Sequence, residues 1–230
     1  MTDRADIAVV GGGSIGLSTA QALAQRGLQV VVIEQGALAG GTTGNSFAWL
    51  NATTKLDDTH YHRLNAAGMA RYRDLAAIYG SDRIGVHGDG NIDWIDAENI
   101  SQIRDLQAVA ERMRELDYPH ELLDRRQLAE LEPNIAFADG AVGLLATDDR
   151  WLDAPHYVRF CAGRLRALGG TVLENRSVTG FLSDAGRLAG VVTNQGTIVV
   201  GQVVLAAGAA TGALWRRWRP GSRTWCRWRA

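Results

Sequence analysis

The sequence contains very little cysteine, almost no lysine and no long hydrophobic segment. Its two cysteines, Cys161 and Cys226, are too few for a disulfide framework and have no metal-ligand spacing. No apolar run approaches the ~20 residues that a membrane-spanning helix requires. The charged start of the chain, MTDRAD, resembles neither a signal peptide nor a transit peptide. These absences predict a protein without a metal site or a membrane span, located in the reducing cytoplasm.

The overall composition is that of a globular enzyme. The 230 residues are 46% hydrophobic and carry a formal net charge of −1, which excludes a disordered chain. This length lies between one and two typical domains. Lys55 is the only lysine among 24 basic residues, and we attribute the preference for arginine to GC-rich coding rather than to function.

The first 34 residues have the pattern of a β-α-β unit. Residues 6–10 and 29–33 are continuous apolar runs rich in β-branched side chains, as in parallel strands that are covered on both faces. Between them, the glycine-rich turn GGGSIG leads into a helix that is predicted to run to about Arg26. Glu34 follows directly after the second strand.

The turn of this unit carries a dinucleotide-binding fingerprint. Gly11 permits the tight turn, Gly13 lets the backbone approach a pyrophosphate, and Gly16 allows close packing of helix and sheet. The N–H groups at the start of the helix then bind phosphate. The carboxylate of Glu34 would accept hydrogen bonds from ribose hydroxyls, and its charge disfavours a 2′-phosphate. A strand before the motif and a helix after it supply the required context.

The rest of the chain predicts an α/β protein. Helices are expected over residues 58–79, 98–116 and 154–168, and strands between residues 171 and 205. Asp148 and Asp149 are interpreted as turn residues. The order predicts a Rossmann-like FAD/NAD(P)-binding domain, with a parallel sheet and a β-meander, formed by residues 1–80 and 148–214. Residues 81–147 would be part of an inserted α+β substrate domain.

The residues after Glu34 resemble the D-amino-acid oxidase, glycine oxidase and sarcosine oxidase family of flavoenzymes. The resemblance begins with the loop GALAGGTTGNSFAWLN over residues 36–51 and continues with the step Leu131-Glu132-Pro133. It extends through the helix and strand of residues 153–172 to the segment VVLAAG at residues 203–208. The resemblance covers roughly residues 5–214 and implies that the dinucleotide is FAD. The loop variants that carry covalent flavin are not seen, so the FAD is expected to be non-covalent.

The resemblance also implies further cofactor contacts. Thr42 and Thr43 would lie by the phosphates and the ribityl chain, and residues 45–48 would approach the flavin ring. The backbone of Val178 would contact adenine, and the turn at residues 207–208 would pass close to the phosphates. The full set of predicted cofactor-binding residues is Gly11, Gly13, Ser14, Ile15, Gly16, Glu34, Gln35, Thr42, Thr43, Asn45, Ser46, Phe47, Ala48, Val178, Ala207 and Gly208. No catalytic acid or base can be named.

The resemblance is expected to end near Leu214, whereas members of the family continue with segments that cover the isoalloxazine and bind the substrate carboxylate. Residues 215–230 hold six arginines, four tryptophans and no acid. Such a segment could bind single-stranded nucleic acid or an anionic membrane surface, or form a surface helix, which Pro220-Gly221 would break. We interpret it instead as out-of-frame translation, so the chain is expected to be truncated or frame-shifted and to bind no nucleic acid.

The resulting prediction is an FAD-dependent oxidoreductase. It would oxidise an amine or an amino acid by hydride transfer to flavin N5, with oxygen or a respiratory carrier as the electron acceptor. Two alternatives stay open, namely a fragment that holds FAD without turnover and an NAD-dependent dehydrogenase with a plain Rossmann domain. The loop at residues 36–51 and the late β-meander favour FAD over NAD.

Overall fold

The computed structural model describes residues 4–96 and 100–217. The strands are β1 (Arg4–Val10), β2 (Val30–Ile33), β3 (Trp49–Leu50), β4 (Val86–His87), β5 (Asn91–Ile95), β6 (His120–Asp124), β7 (Val142–Ala146), β8 (Arg150–Leu152), β9 (Thr171–Leu173), β10 (Val178–Asp184), β11 (Arg187–Thr193) and β12 (Gly196–Leu205). The α-helices are α1 (Ser14–Ala24), α2 (Thr59–Tyr79), α3 (Ser81–Ile84), α4 (Ile100–Glu115), α5 (Arg125–Leu131), α6 (Ala154–Ala167) and α7 (Thr211–Arg217). Short 3-10 helices span Thr42–Asn45, Thr53–Lys55 and Gly208–Ala210.

The chain forms two compact units. The first comprises residues 4–46 and 154–217, and the second comprises residues 47–153. The sequence placed residues 47–80 with the first unit, but α2 packs within the second. Its Met69 is buried in one apolar cluster with Leu106 and Ala110 of α4. The boundaries by contact therefore fall at residues 46 and 154, while the functional role of each unit stays a prediction.

A six-stranded sheet in the order β10-β11-β12-β1-β2-β9 forms the centre of the first unit. The neighbours β12, β1, β2 and β9 are parallel, whereas β10, β11 and β12 are antiparallel. The long strand β12 pairs with β11 through residues 196–199 and with β1 through residues 199–205. All four residues of β2 are buried, as expected for a parallel strand covered on both faces. This architecture confirms the predicted Rossmann-like α/β fold with a parallel sheet and a meander.

The second unit contains two three-stranded sheets, in the orders β3-β8-β4 and β5-β7-β6. Two of its helices begin at an aspartate whose side chain accepts N–H groups of the first turn. The Asp58 carboxylate accepts the N–H groups of His60 and Tyr61 at the start of α2. Asp124 forms a capping box with Gln127 at the start of α5. In residues 4–96 and 100–217, no helix has the length and apolarity to cross a membrane.

Candidate cofactor-binding site

The predicted fingerprint lies at the carboxyl edge of the parallel strands. Strand β1 lies between β2 and β12 in the sheet. Gly11 follows β1, Glu34 follows β2 and Ala206 follows β12, so the three residues share one edge. Open α/β sheets bind ligands outside the carboxyl ends of their strands, where the strand order reverses.

The glycines of the turn have the roles that the sequence predicts. Gly11 has φ +118°, and a Cβ atom there would lie 2.3 Å from the carbonyl oxygen of Ala206. A Cβ atom on Gly16 would lie 2.0 Å from the carbonyl oxygen of Gly11, which explains how closely helix and strand approach. Gly13 is less crowded than Gly11 and Gly16, because a Cβ atom there would lie 3.0 Å from the side-chain Oγ1 atom of Thr43 and near no backbone atom. The space beside Gly13 is therefore open on its other sides.

The carboxylate of Glu34 is held by the two loops that flank it. Gly12 donates its N–H to Oε2 at 2.7 Å, and Gly36 donates its N–H to Oε1 at 2.9 Å. Each oxygen keeps further acceptor capacity for a ligand hydroxyl. The hydrogen bond from Gly12 to Glu34 was not predicted, although Gly12 lies in the run of three glycines at residues 11–13. A Cβ atom at Gly12 would lie 2.9 Å from the Glu34 side chain.

The glycine-rich loop folds back onto the turn. Ser14 at the start of α1 donates its N–H to Thr43 Oγ1 at 3.2 Å. Ala39, which has φ +60°, donates its N–H to the carbonyl oxygen of Gly12 at 3.1 Å. Asn45 forms a bond within the loop, from Nδ2 to the carbonyl oxygen of Gly41 at 2.9 Å. These bonds hold the hydroxyl of Thr43 at the positive end of α1.

The other predicted residues of the first unit that surround the turn are exposed or half-buried. Ile15 is 72% exposed at the start of α1. Gln35, Thr42 and Ser46 are exposed. Ala207 is half-buried, and Gly208 is exposed with φ +54°.

The segment before Val178 binds the Glu34 loop through its main chain. Arg176 donates its N–H to the carbonyl oxygen of Glu34 at 2.9 Å, and Asn175 donates to that of Gly36 at 3.0 Å. Glu174, which the sequence did not single out, accepts the N–H of Leu38 at 2.9 Å. The side chain of Val178 is buried in the core of the first unit.

Phe47 and Ala48 lie in the second unit. Phe47 is 79% exposed, and Ala48 has φ +51°, a conformation that favours glycine. Leu152 donates its N–H to the carbonyl oxygen of Ala48 at 3.0 Å.

The described geometry fits the adenosine diphosphate half of a dinucleotide. Open space beside Gly13 adjoins a helix N-terminus, which attracts phosphate. Glu34 presents an oriented carboxylate, which suits a pair of ribose hydroxyls. In residues 4–96 and 100–217, no group of three or more His, Cys, Asp or Glu side chains could hold a metal ion.

A buried polar network in the second unit was not predicted. Asp149 is fully buried, and it accepts hydrogen bonds from Tyr118 Oη at 2.5 Å and from Thr53 Oγ1 at 3.0 Å. Burial raises the pKa of Asp149, although these two hydrogen bonds partly oppose it. Burial, together with the hydrogen bond to Asp149, also raises the pKa of Tyr118. The turn that the sequence predicted at Asp148 and Asp149 lies at residues 147–148, and Asp149 directly after it is buried.

Comparison with known proteins adds a family match. The family model described as DAO, FAD dependent oxidoreductase, matches residues 6–223, somewhat beyond the expected limit near residue 214. Glycine oxidase of Bacillus licheniformis is 30% identical over 227 residues, which cover 94% of this chain and 58% of that protein. Sarcosine oxidase subunit beta of Arthrobacter sp is 26% identical and is covered to 52% of its length, against 91% of this chain.

A solved structure is also similar to this chain and is also matched over only part of its length. The crystal structure of glycine oxidase from Geobacillus kaustophilus superposes with a TM-score of 0.80 at 26% identity. The superposition covers 94% of this chain and 58% of that one. The chain therefore spans little more than half the length of the relatives that it matches.

Proposed function

Because the chain belongs to the DAO family of FAD-dependent oxidoreductases, we propose that its first unit holds the adenosine diphosphate half of a non-covalent FAD, and that the whole protein oxidises an amine or an amino acid. FAD is the cofactor of this family, as the sequence predicted. The relatives named above are a glycine oxidase and a sarcosine oxidase subunit, which supports this substrate class. None of them favours the NAD-dependent alternative.

The observation that carries the proposal is the doubly held carboxylate of Glu34. Two backbone N–H groups orient it, so it would accept the ribose hydroxyls without a cost for reorientation. The pyrophosphate would bind the N-terminus of α1 in the space beside Gly13, with Thr42 and Thr43 next to it. Adenine would lie against the main chain of Val178. When bound, FAD supplies a hydride acceptor for the substrate carbon that carries the amine.

Three finer parts of the proposal follow from the sequence. The electron acceptor would be oxygen or a respiratory carrier. The scarcity of cysteine supports a reducing compartment such as the cytoplasm. Phe47 and Ala48 would approach the flavin ring.

Titration of the purified chain with FAD and with NAD tests the cofactor. Quenching of flavin fluorescence and a visible absorption band are expected with FAD, and binding of NAD in preference to FAD would contradict the proposal. A panel of amines and amino acids, assayed for peroxide and for reduction of an artificial dye, then tests the reaction. Bound FAD without turnover would indicate a protein that holds the cofactor but lacks catalysis.

A further inference from the structure

The second unit contains a cavity of about 180 Å³ whose lining is partly apolar and partly charged. Its apolar lining includes Met69 and Val86, both buried, together with Ala76. Its charged lining consists of Arg73, Asp148 and Arg150. An engineered cavity of roughly 150 Å³ accommodates benzene, so this one has room for a molecule of similar size.

Arg150 is fixed in place but not neutralised. Its Nη1 atom donates to the carbonyl oxygens of Thr147 and Asp149, both at 2.7 Å. Over residues 4–96 and 100–217 it forms no ion pair with a carboxylate. A guanidinium has five N–H donors, so Nε and Nη2 keep theirs for a ligand. The two carbonyl bonds orient the guanidinium before any ligand arrives, which lowers the entropic cost of binding.

The neighbouring charges leave the cavity cationic. Arg73 forms an ion pair with Asp148, so these two charges offset each other. The carboxyl group of Asp149 accepts hydrogen bonds from Tyr118 and Thr53. Two arginines and one aspartate line the cavity, so its lining has an excess of one positive charge.

We propose that this cavity binds a small carboxylate with a short apolar body. The carboxylate would accept the free N–H groups of Arg150, whose planar fork matches its two oxygens. The body would pack against Met69, Val86 and Ala76, a surface that an inorganic anion could not use. This site requires neither FAD nor turnover, so it stands or falls independently of the proposed function.

Titration of the full 230-residue chain with butanoate, butanamide and inorganic phosphate tests the proposal. The Arg150 Nε–H signal, assigned by NMR with the Arg150→Gln variant, should shift and saturate with butanoate. Butanamide has the same shape without the charge, and phosphate has the charge without the body. Butanamide should bind at least about tenfold more weakly, because a hydrogen bond between charged groups contributes roughly that factor. Phosphate should also bind at least about tenfold more weakly, because it has no alkyl chain to bury against the apolar lining. Equal binding of either probe would overturn the proposal.

Three variants locate the site. Ala76→Leu adds bulk to the apolar lining of the cavity, leaves both arginines in the sequence, and should abolish saturable binding of butanoate. Arg150→Gln should weaken binding about tenfold or more, followed through the backbone amide signals. Arg63→Gln removes the same charge from an exposed position on α2 and should leave binding unchanged. If Arg150→Gln fails to fold, Ala76→Leu decides, and butanoate binding that survives in Ala76→Leu refutes the cavity as the site.

Discussion

Gly13→Ala and Gly16→Ala add the same methyl group to one turn, yet the structure predicts different consequences. At Gly16 the new Cβ atom would lie 2.0 Å from the carbonyl oxygen of Gly11, a backbone atom that cannot rotate away. Overpacking typically costs 1–3 kcal/mol, and a backbone overlap of this depth should cost about 3 kcal/mol or more. Gly16→Ala should therefore lower both the free energy of unfolding and the affinity for FAD.

Gly13→Ala should spare the fold. Gly13 has φ −86° and ψ −177°, an extended conformation that alanine also adopts, and the new methyl group would meet the movable side chain of Thr43 at 3.0 Å. The smaller entropy of the unfolded chain gains about 0.4–1 kcal/mol, and the loss of a glycine N-cap offsets part of it. The free energy of unfolding should stay within about 0.5 kcal/mol of the parent value. The methyl group would occupy the space for the pyrophosphate, so FAD affinity should fall at least about tenfold, or 1.4 kcal/mol.

Urea denaturation measures the first quantity for each variant, and flavin fluorescence measures the second. Gly68→Ala is the matched control, since this glycine lies within α2 with no atom near its Cβ position. It should stabilise the chain by roughly 0.5–1 kcal/mol and leave FAD binding unchanged. Parent affinity for FAD in Gly13→Ala, or unfolding of Gly16→Ala at the parent urea concentration, would contradict these predictions.

Three further changes test the held carboxylate and the buried network. Glu34→Gln turns an amide N–H₂ toward the N–H of Gly12 or Gly36, so FAD affinity measured by fluorescence should fall by about 1.5–3 kcal/mol; an unchanged dissociation constant would exclude the role of Glu34. Tyr118→Phe removes a hydrogen bond to buried Asp149 and should lower the free energy of unfolding, measured in urea, by about 1–3 kcal/mol; no loss would mean that the hydroxyl contributes nothing. Burial raises the pKa of Asp149 above its ordinary value of 3.8, so its contribution to stability is complete below that value and is lost as pH rises through the raised pKa. Asp149→Asn should thus gain stability over the parent as the pH rises above about 4, and a pH-independent difference would contradict this.

The elements that the sequence predicted well are those with local signals. The two central strands are continuous apolar runs, and the helix predicted over residues 58–79 begins at the acceptor Asp58. Strands β3 and β8 were not predicted, because they are two and three residues long and exist only through pairing. Trp49 pairs with Trp151, which lies far along the chain, and neither segment has a period of its own.

The residues of the candidate site likewise fall into those that have a local sequence signal and those that depend on tertiary contacts. Gly11, Gly13, Gly16 and Glu34 could be predicted because a tight turn and a phosphate demand particular residue types at particular spacings. The left-handed conformation of Ala39 could not be predicted. In a glycine-rich segment this conformation would be assigned to a glycine, and Gly40 and Gly41 follow directly. Glu174 likewise bonds to Leu38 only because β9 pairs with β2.

Asp149 and Arg150 show why buried charge is the hardest feature to predict. Two acids followed by an arginine have the composition of a solvated turn, and residues 147–148 do form a turn. Whether the next carboxyl group is buried depends on Tyr118 and Thr53, which arrive from distant segments and replace its water. Arg150 is oriented by carbonyl groups of that same turn. The sequence identifies both ionisable groups, but tertiary partners decide that the carboxyl group is buried among hydroxyl donors and that the guanidinium is oriented by carbonyl groups.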